Sequence, residues 1–436
     1  MNKTAPLNII DSLILHTLHS LFQNNLLRNT DIKNMDFRNV NPLNVRLNLV
    51  SGNLLPMTAD DSSFPIFWKI YSVLVWFLEI VQLCGLVPGF IFVPIEKVLK
   101  DGLVALVITM EVISVIIRIH TCRGLVKQLI QKLNDIMCVE DEMMRSIVTT
   151  TIKSMEIPLK FYWSAGVLSI VLWSSSPFVV AFQKNSFFYV DYRMPVVYSK
   201  EPFTTGIFVL GSVIVLVSSA YIFTKKVSAD SYIINVMLLI TAQYKYTALK
   251  LSMIFQDRFL QSDDRSESNT KECYPNADYY AEKEMKALCR HHNMIIHIMI
   301  MLRKLLSLNI SLIYVISVFR FCGIAIMLIS IPSVTLWEVF LHIMYAIGGV
   351  VQLYILCYCV QQLLDASAEI TDNAFHEGWY LYGRSIKRTF MFMIMSNNLD
   401  IKLSTFGKYN LSLSSFIAVS LMYIPCVVSI SILLIL

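Results

Sequence analysis

Long apolar stretches with almost no charge inside them leave this chain few ways to fold: 66–92, 101–120, 158–182, 203–223, a run ending near 330, 339–360 and 409–436. A hydrocarbon layer about 30 Å thick takes roughly 20 apolar residues of helix to cross, so each stretch suffices for one crossing. Composition agrees, because 56% of the 436 residues are hydrophobic and only 15% are charged. A soluble domain of this length needs more charge to cover its surface. With 14 glycines and 13 prolines the chain is also poorly supplied for the turns of a barrel. The expected fold is all-α: a polytopic membrane protein with seven transmembrane helices.

Basic residues set the expected orientation. With the N-terminus in the cytoplasm, segments 1–65, 118–160, 225–304 and 361–395 lie inside and carry 27 Lys and Arg. The opposite segments 92–101, 184–202 and 331–338 carry 5. Positive charge collects on the cytoplasmic side, so the N-terminus is expected inside and, after seven crossings, the C-terminus outside. A G-protein-coupled receptor would have the reverse orientation, and neither D-R-Y nor N-P-x-x-Y occurs. A secondary transporter would show duplicated halves, and the sequence shows no such repeat.

The expected division is a cytoplasmic segment 1–65, four spans in 66–224, cytoplasmic helices in 225–300, spans five and six with the inner half of helix seven in 301–395, and its membrane half in 396–436. Residues 1–65 lack the basic, apolar and small-residue order of a secretory signal, and the first span would serve as targeting signal. Ile9 to Phe22 has apolar residues at helical spacing, suited to a membrane surface or to the protein's own cytosolic face. Residues 257–275 are polar and charge-rich and read as a flexible loop inside the cytoplasmic region. Asn397, Asn398 and Gly407 read as breakers that split the last helix.

Chemistry-bearing patterns are sparse. His291, His292 and His297 lack metal-ligand spacing, and no Walker loop or nucleophile motif occurs, so no enzyme activity, metal or cofactor is expected. The net charge of +5 suits cytoplasmic loops facing anionic lipid, not nucleic acid. Nine scattered cysteines fall outside the segments assigned to the exterior and imply no structural disulfide.

Three charges lie at membrane depth: Glu79, Glu111 and Arg320. Each is expensive in hydrocarbon and should face the bundle interior with a partner. They form buried structural pairs or snorkel to the surface, or else Glu111 or Arg320 borders a ligand cavity. The outer halves of several spans combine small residues with aromatics and methionine: Leu103, Val107, Met110 and Glu111 on the second span, and Gly166, Ser169, Trp173, Ser174 and Phe178 on the third. Phe203, Ile207, Leu210 and Gly211 on the fourth and His342, Tyr345 and Gly349 on the sixth complete the set. Small residues facing aromatics can leave a void for a small apolar ligand, and ordinary helix packing uses the same residues. The aromatic segment 184–202 is expected to fold back as a lid. The last run carries serines among apolar residues, as a pore lining would, although packing helices use serine too.

The C-terminal third carries a recognisable pattern: Ala374-Phe375, then Glu377-Gly378-Trp379-Tyr380, a basic half-helix, and MFMIMSNNLDIKLSTFGKYNLSLSSF with Leu411, Ser412, Leu413 and Phe416 at the approach to the last span. Together with LPMTADDSSFPIFWKIYSVLVWF upstream, it resembles the insect odorant receptor family. The Thr-Tyr and Gln-Phe marks of the related gustatory receptors are absent from YIPCVVSISILLIL. The short second cytoplasmic loop resembles an odorant-tuned subunit more than the shared co-receptor. The resemblance implies a tetrameric, ligand-gated, non-selective cation channel in the plasma membrane of olfactory sensory neurons, formed with co-receptor subunits and opened by a small volatile ligand held among spans two to six. It further implies a central pore lined by the last half-helix, gated near Pro425, Val428, Ser429 and Ile432. Serine at 429 and proline at 425 depart from the family pattern, and Pro425 should kink that helix.

Overall fold

The computed structural model describes residues 35–58, 64–138, 141–263, 275–330, 336–376 and 379–399, with 404–405, 409–410 and 417. Helix α1 (Pro42–Val50) starts where the Asn41 side chain accepts a hydrogen bond from the Asn44 amide at 3.3 Å and Pro42, which has no N–H to lose, takes the first turn. Helix α2 (Ile66–Phe92) stops because Pro94 holds the preceding Val93 in an extended conformation. A π-helical turn at Val98–Gly102 leads into α3 (Leu103–Thr121), and α4 (Arg123–Met137) leaves it at a bend of 72°. Helix α5 (Glu142–Ala181) is capped by Asp141, whose carboxylate accepts from the Met143 amide at 2.9 Å. The remaining long helices are α6 (Thr205–Asp263), α7 (Pro275–Ser330), α8 (Leu336–His376) and α9 (Arg384–Leu399). Against this nearly all-helical background, Ser404–Thr405 pairs antiparallel with Tyr409–Asn410.

Helix α2 shows which solvent the fold is built for. Ile66, Ile70, Val73, Phe77 and Ile80 repeat at helical spacing and are exposed. The opposite stripe of Val75, Glu79, Gln82, Leu86 and Gly89 is buried. Apolar side chains outward with polar and small ones inward is the reverse of a water-soluble helix and suits hydrocarbon. The protein is a multi-pass membrane protein. Among the described residues α2, α5, α6 and α8 each contain a stretch long and apolar enough to cross a membrane, and six spans result if the bent pairs α3–α4 and Tyr279–Leu306 with Ser311–Arg320 count as one each. In the first of these pairs the apolar arm is α3. Helix α4 is amphipathic, burying Val126, Leu129, Ile130 and Leu133. Most of the run expected as the last span, the pore residues Pro425, Val428, Ser429 and Ile432, and the surface helix expected at 9–22 lie outside the described residues, and at the expected start of that span Tyr409–Asn410 is strand and not helix.

The molecule has two unlike ends. At one, the 183–204 segment folds over the helices as a lid: Phe187 and Phe203 exchange backbone hydrogen bonds at 3.2 and 3.0 Å, and the Val197 amide donates to the Gly85 carbonyl at 2.9 Å. Gly85 is required there, since a Cβ would sit 2.5 Å from the Tyr198 ring. Phe187 stacks on Phe208 at 4.2 Å, which ties the lid to α6. At the other end, α6 and α7 run on to form a closely packed apolar bundle with α4, α8 and α9. Phe390 of α9 stacks on Trp379 (5.3 Å) and meets Phe255 edge-on (5.4 Å).

Two sequence expectations change. Asn397 does not break α9: it is buried inside the helix, where its amide donates to the Ser367 carbonyl at 2.8 Å and its oxygen lies 3.1 Å from His292 Nε2. Lys225 and Lys226, counted above among cytoplasmic charges, are buried within the protein. Lys225 lies 3.9 Å from the Glu79 carboxylate and 3.5 Å above the Trp76 ring. The basic asymmetry keeps its sign without them.

Candidate ligand-binding site

Between the lid and the bundle, α3, α5, α6, α7 and α8 line a cavity of about 290 Å³, open on one side past Phe161, Leu172 and Ile347. It stays open because its walls alternate bulk with absence. On α5, Gly166, Ser169 and Trp173 share one face, and a Cβ at Gly166 would overlap the Phe223 ring of α6. On α8, Tyr345, Gly349 and Gln352 fall at i, i+4 and i+7. A Cβ at Gly349 would lie 2.8 Å from Arg320 Nη1, so this glycine makes room for the guanidinium.

The floor is a buried charge cluster. Glu111 of α3 accepts from Lys226 Nζ at 2.5 Å, from Arg320 Nη2 at 2.6 Å and from Gln352 Nε2 at 3.0 Å. The same Gln352 amide nitrogen donates to Asp230 at 3.0 Å, and its oxygen accepts from Arg320 Nη1 at 3.3 Å. Two acids and two bases cancel, which is what keeps their desolvation tolerable. Lys226 and Arg320 border the cavity. At the lid end, Arg193 lies 5.4 Å over the Trp173 ring and 3.8 Å from Asp101, which also pairs with Lys97 at 2.7 Å. Burial raises the Tyr192 hydroxyl of the lid to about 12, so it is neutral at any physiological pH.

Of the residues singled out from sequence, Gly166, Ser169, Trp173, Tyr345 and Gly349 line this cavity. Glu111 lies just behind the wall, holding Lys226 and Arg320. Met110, Ile207 and Leu210 do not line it: they are 57%, 41% and 62% exposed and point outward from the bundle, as apolar side chains facing lipid do. Phe203 and Gly211 serve the lid instead, Phe203 packing against Tyr192 at 5.5 Å and Gly211 giving way to that same ring. Ser174 is buried away from the cavity, and Val107 and Phe178 are partly buried off its wall. The side chains of Leu103 and His342 lie outside the described residues.

The sequence reading passed over Gln82, Lys226, Ser219 and Met194, which also line the cavity. Gln82 carried a signal, since it sits three residues after Glu79 inside an apolar helix. Lys226 was hidden by its position at the end of an apolar run, where a lysine usually marks the membrane surface.

The 7tm Odorant receptor family model matches residues 102–423. The chain belongs to the 7tm Odorant receptor family. Its fold is similar to that of the insect olfactory receptor OR5 from Machilis hrabei, at a TM-score of 0.70 and 12% identity, covering 97% of this chain and 99% of that one. The structure of that receptor in complex with eugenol matches with a TM-score of 0.68 and 14% identity over 92% of this chain and 100% of the other. No curated protein matches the sequence. In this odorant receptor the cavity is apolar along most of its wall and polar at both ends.

Proposed function

We propose that this odorant receptor is the odorant-tuned subunit of a ligand-gated, non-selective cation channel that works with a co-receptor, in the plasma membrane of olfactory sensory neurons. The lid end then faces outward and the bundle end faces the cytoplasm. The observation that carries the reading is the apolar cavity beneath the lid, in a chain of the odorant receptor family. Residues 225–300 and α9 belong to a cytoplasmic region that anchors neighbouring subunits, four of them around one pore. The final apolar run 409–436 lines that pore, with its gate near Ser429 and Ile432.

Energetics suit a volatile ligand. A molecule of about ten heavy atoms burying roughly 300 Å² gains about 7 kcal/mol. Association costs then leave an affinity on the order of micromolar or weaker. Gating requires tighter binding to the open state than to the closed one, not tight binding as such. Likeness to a receptor solved with eugenol supports a small organic molecule of that kind. The test is current recording in a heterologous cell against a volatile panel, with and without co-receptor. Odorant-evoked cation current that needs both chains is the expected result, and silence with both at the surface would remove the channel assignment.

A further inference from the structure

The floor of the cavity is more selective than its walls. Arg320 is 4% exposed and borders the cavity. It commits Nη2 to Glu111 and Nη1 to Gln352, and its Nε–H finds no hydrogen-bond partner among the described residues. Beside it, with the guanidinium carbon 5.6 Å from its ring, Tyr345 also borders the cavity, and its buried hydroxyl has no hydrogen-bond partner among the described residues. Buried donors left unmade are costly, and native structures rarely leave two together without a use.

We infer that Arg320 and Tyr345 form a donor pair that selects neutral ligands carrying a hydrogen-bond acceptor, such as the carbonyl of an aldehyde, ketone or ester. The inference rests on the odorant-receptor reading of this cavity. Charge balance excludes the ionised alternatives. Glu111 and Asp230 already offset Lys226 and Arg320, so a carboxylate would leave the buried floor net negative and an ammonium would leave it net positive. A neutral carbonyl accepts from either donor and adds no charge. A hydrocarbon of equal size fills the same volume and leaves both donors unmade, which costs it about tenfold in affinity.

The experiment measures binding as the rise in melting temperature of the detergent-purified receptor, and activation as current in cells with co-receptor. Probes are matched in heavy atoms: 2-heptanone, octane and hexanoate, then acetophenone, cumene and benzoate. The ketones are expected to stabilise the protein at about tenfold lower concentration than their partners. Tyr345→Phe should shrink that advantage without weakening hydrocarbon binding or lowering the melting temperature of the free protein. Arg320→Lys keeps a charge for Glu111 but has no Nε–H, and should act likewise; if it fails to fold, Tyr345→Phe still decides. Equal shifts from ketone and hydrocarbon, no shift from any ketone, or a Tyr345→Phe protein with full preference would each overturn the inference. Ketone-selective binding without current would instead count against the channel reading alone, and current without ketone preference against this inference alone.

Discussion

The two halves of α6 are made of similar apolar residues and do opposite things. Toward the lid, Phe208 and Val215 turn inward while Leu210 and Val213 turn outward, and Ser219, Ile222 and Phe223 border the cavity. From Val227 to Ala248 nearly every side chain is buried, with Tyr232 and Tyr244 fully enclosed. In the orientation proposed above, lipid accounts for the contrast. A helix in hydrocarbon gains little by hiding apolar side chains from it, whereas a helix beyond the membrane must cover each one with protein. The bundle half therefore supplies dense packing, and the lid half can carry a void that a water-soluble core of the same size would pay for in stability. Ligand response and stability should accordingly separate along this one helix.

The charge cluster sits where the halves meet and should give the largest effect. Glu111→Leu leaves Lys226 and Arg320 with one acid between them, an uncompensated buried charge worth about 3–5 kcal/mol. Thermal unfolding of the purified protein should show a marked drop, with loss of surface expression. Adding Arg320→Met to that variant restores charge balance and should recover most of the stability. A double variant no better than the single one would mean that charge does not join the two halves.

A matched pair of truncations tests the separation itself. Phe390→Ala removes a ring packed on Trp379 and Phe255 in the bundle, at a cost of about 3–5 kcal/mol. Trp173→Ala, on the cavity wall, should shift the odorant dose–response about tenfold while moving the melting temperature much less. Equal loss of stability from both would erase the distinction between the halves.

Much of this fold could be read from the sequence, because hydropathy dictates helices of membrane length and a lone charge such as Glu111 must find a partner such as Arg320. The cavity was less legible. An apolar residue on a membrane helix meets lipid as readily as a neighbouring helix, so Met110 and Leu210 could not be told from Ile170 and Met344, which line the cavity, by type or spacing. Glycine and aromatic residues carried more information, since Gly166 and Gly349 mark places where a bulky partner from another helix must fit. Asn397 misled for a related reason: its weak helix propensity is outweighed by buried hydrogen bonds to Ser367 and His292 that only the folded bundle provides.

The smallest expected effect is a pH dependence carried by the bundle. His291 faces the Tyr246 ring and His292 the Tyr244 ring, both on α6. Burial, with a smaller contribution from neighbouring His292, pushes His291 down to about 4, and burial also lowers His292 against the opposing hydrogen bond from Asn397. The unfolded chain takes up these protons near the ordinary histidine value of 6.5, before the folded protein does. Stability is therefore complete above that value and falls as the pH drops from 6.5 toward 4. Melting temperatures between pH 7.5 and 5.5 should fall by a few degrees, on the order of 1 kcal/mol, and His291→Gln should flatten most of the slope. An unchanged slope in that variant would place the titrating group elsewhere and remove the bundle's claim to a pH response distinct from that of the cavity half.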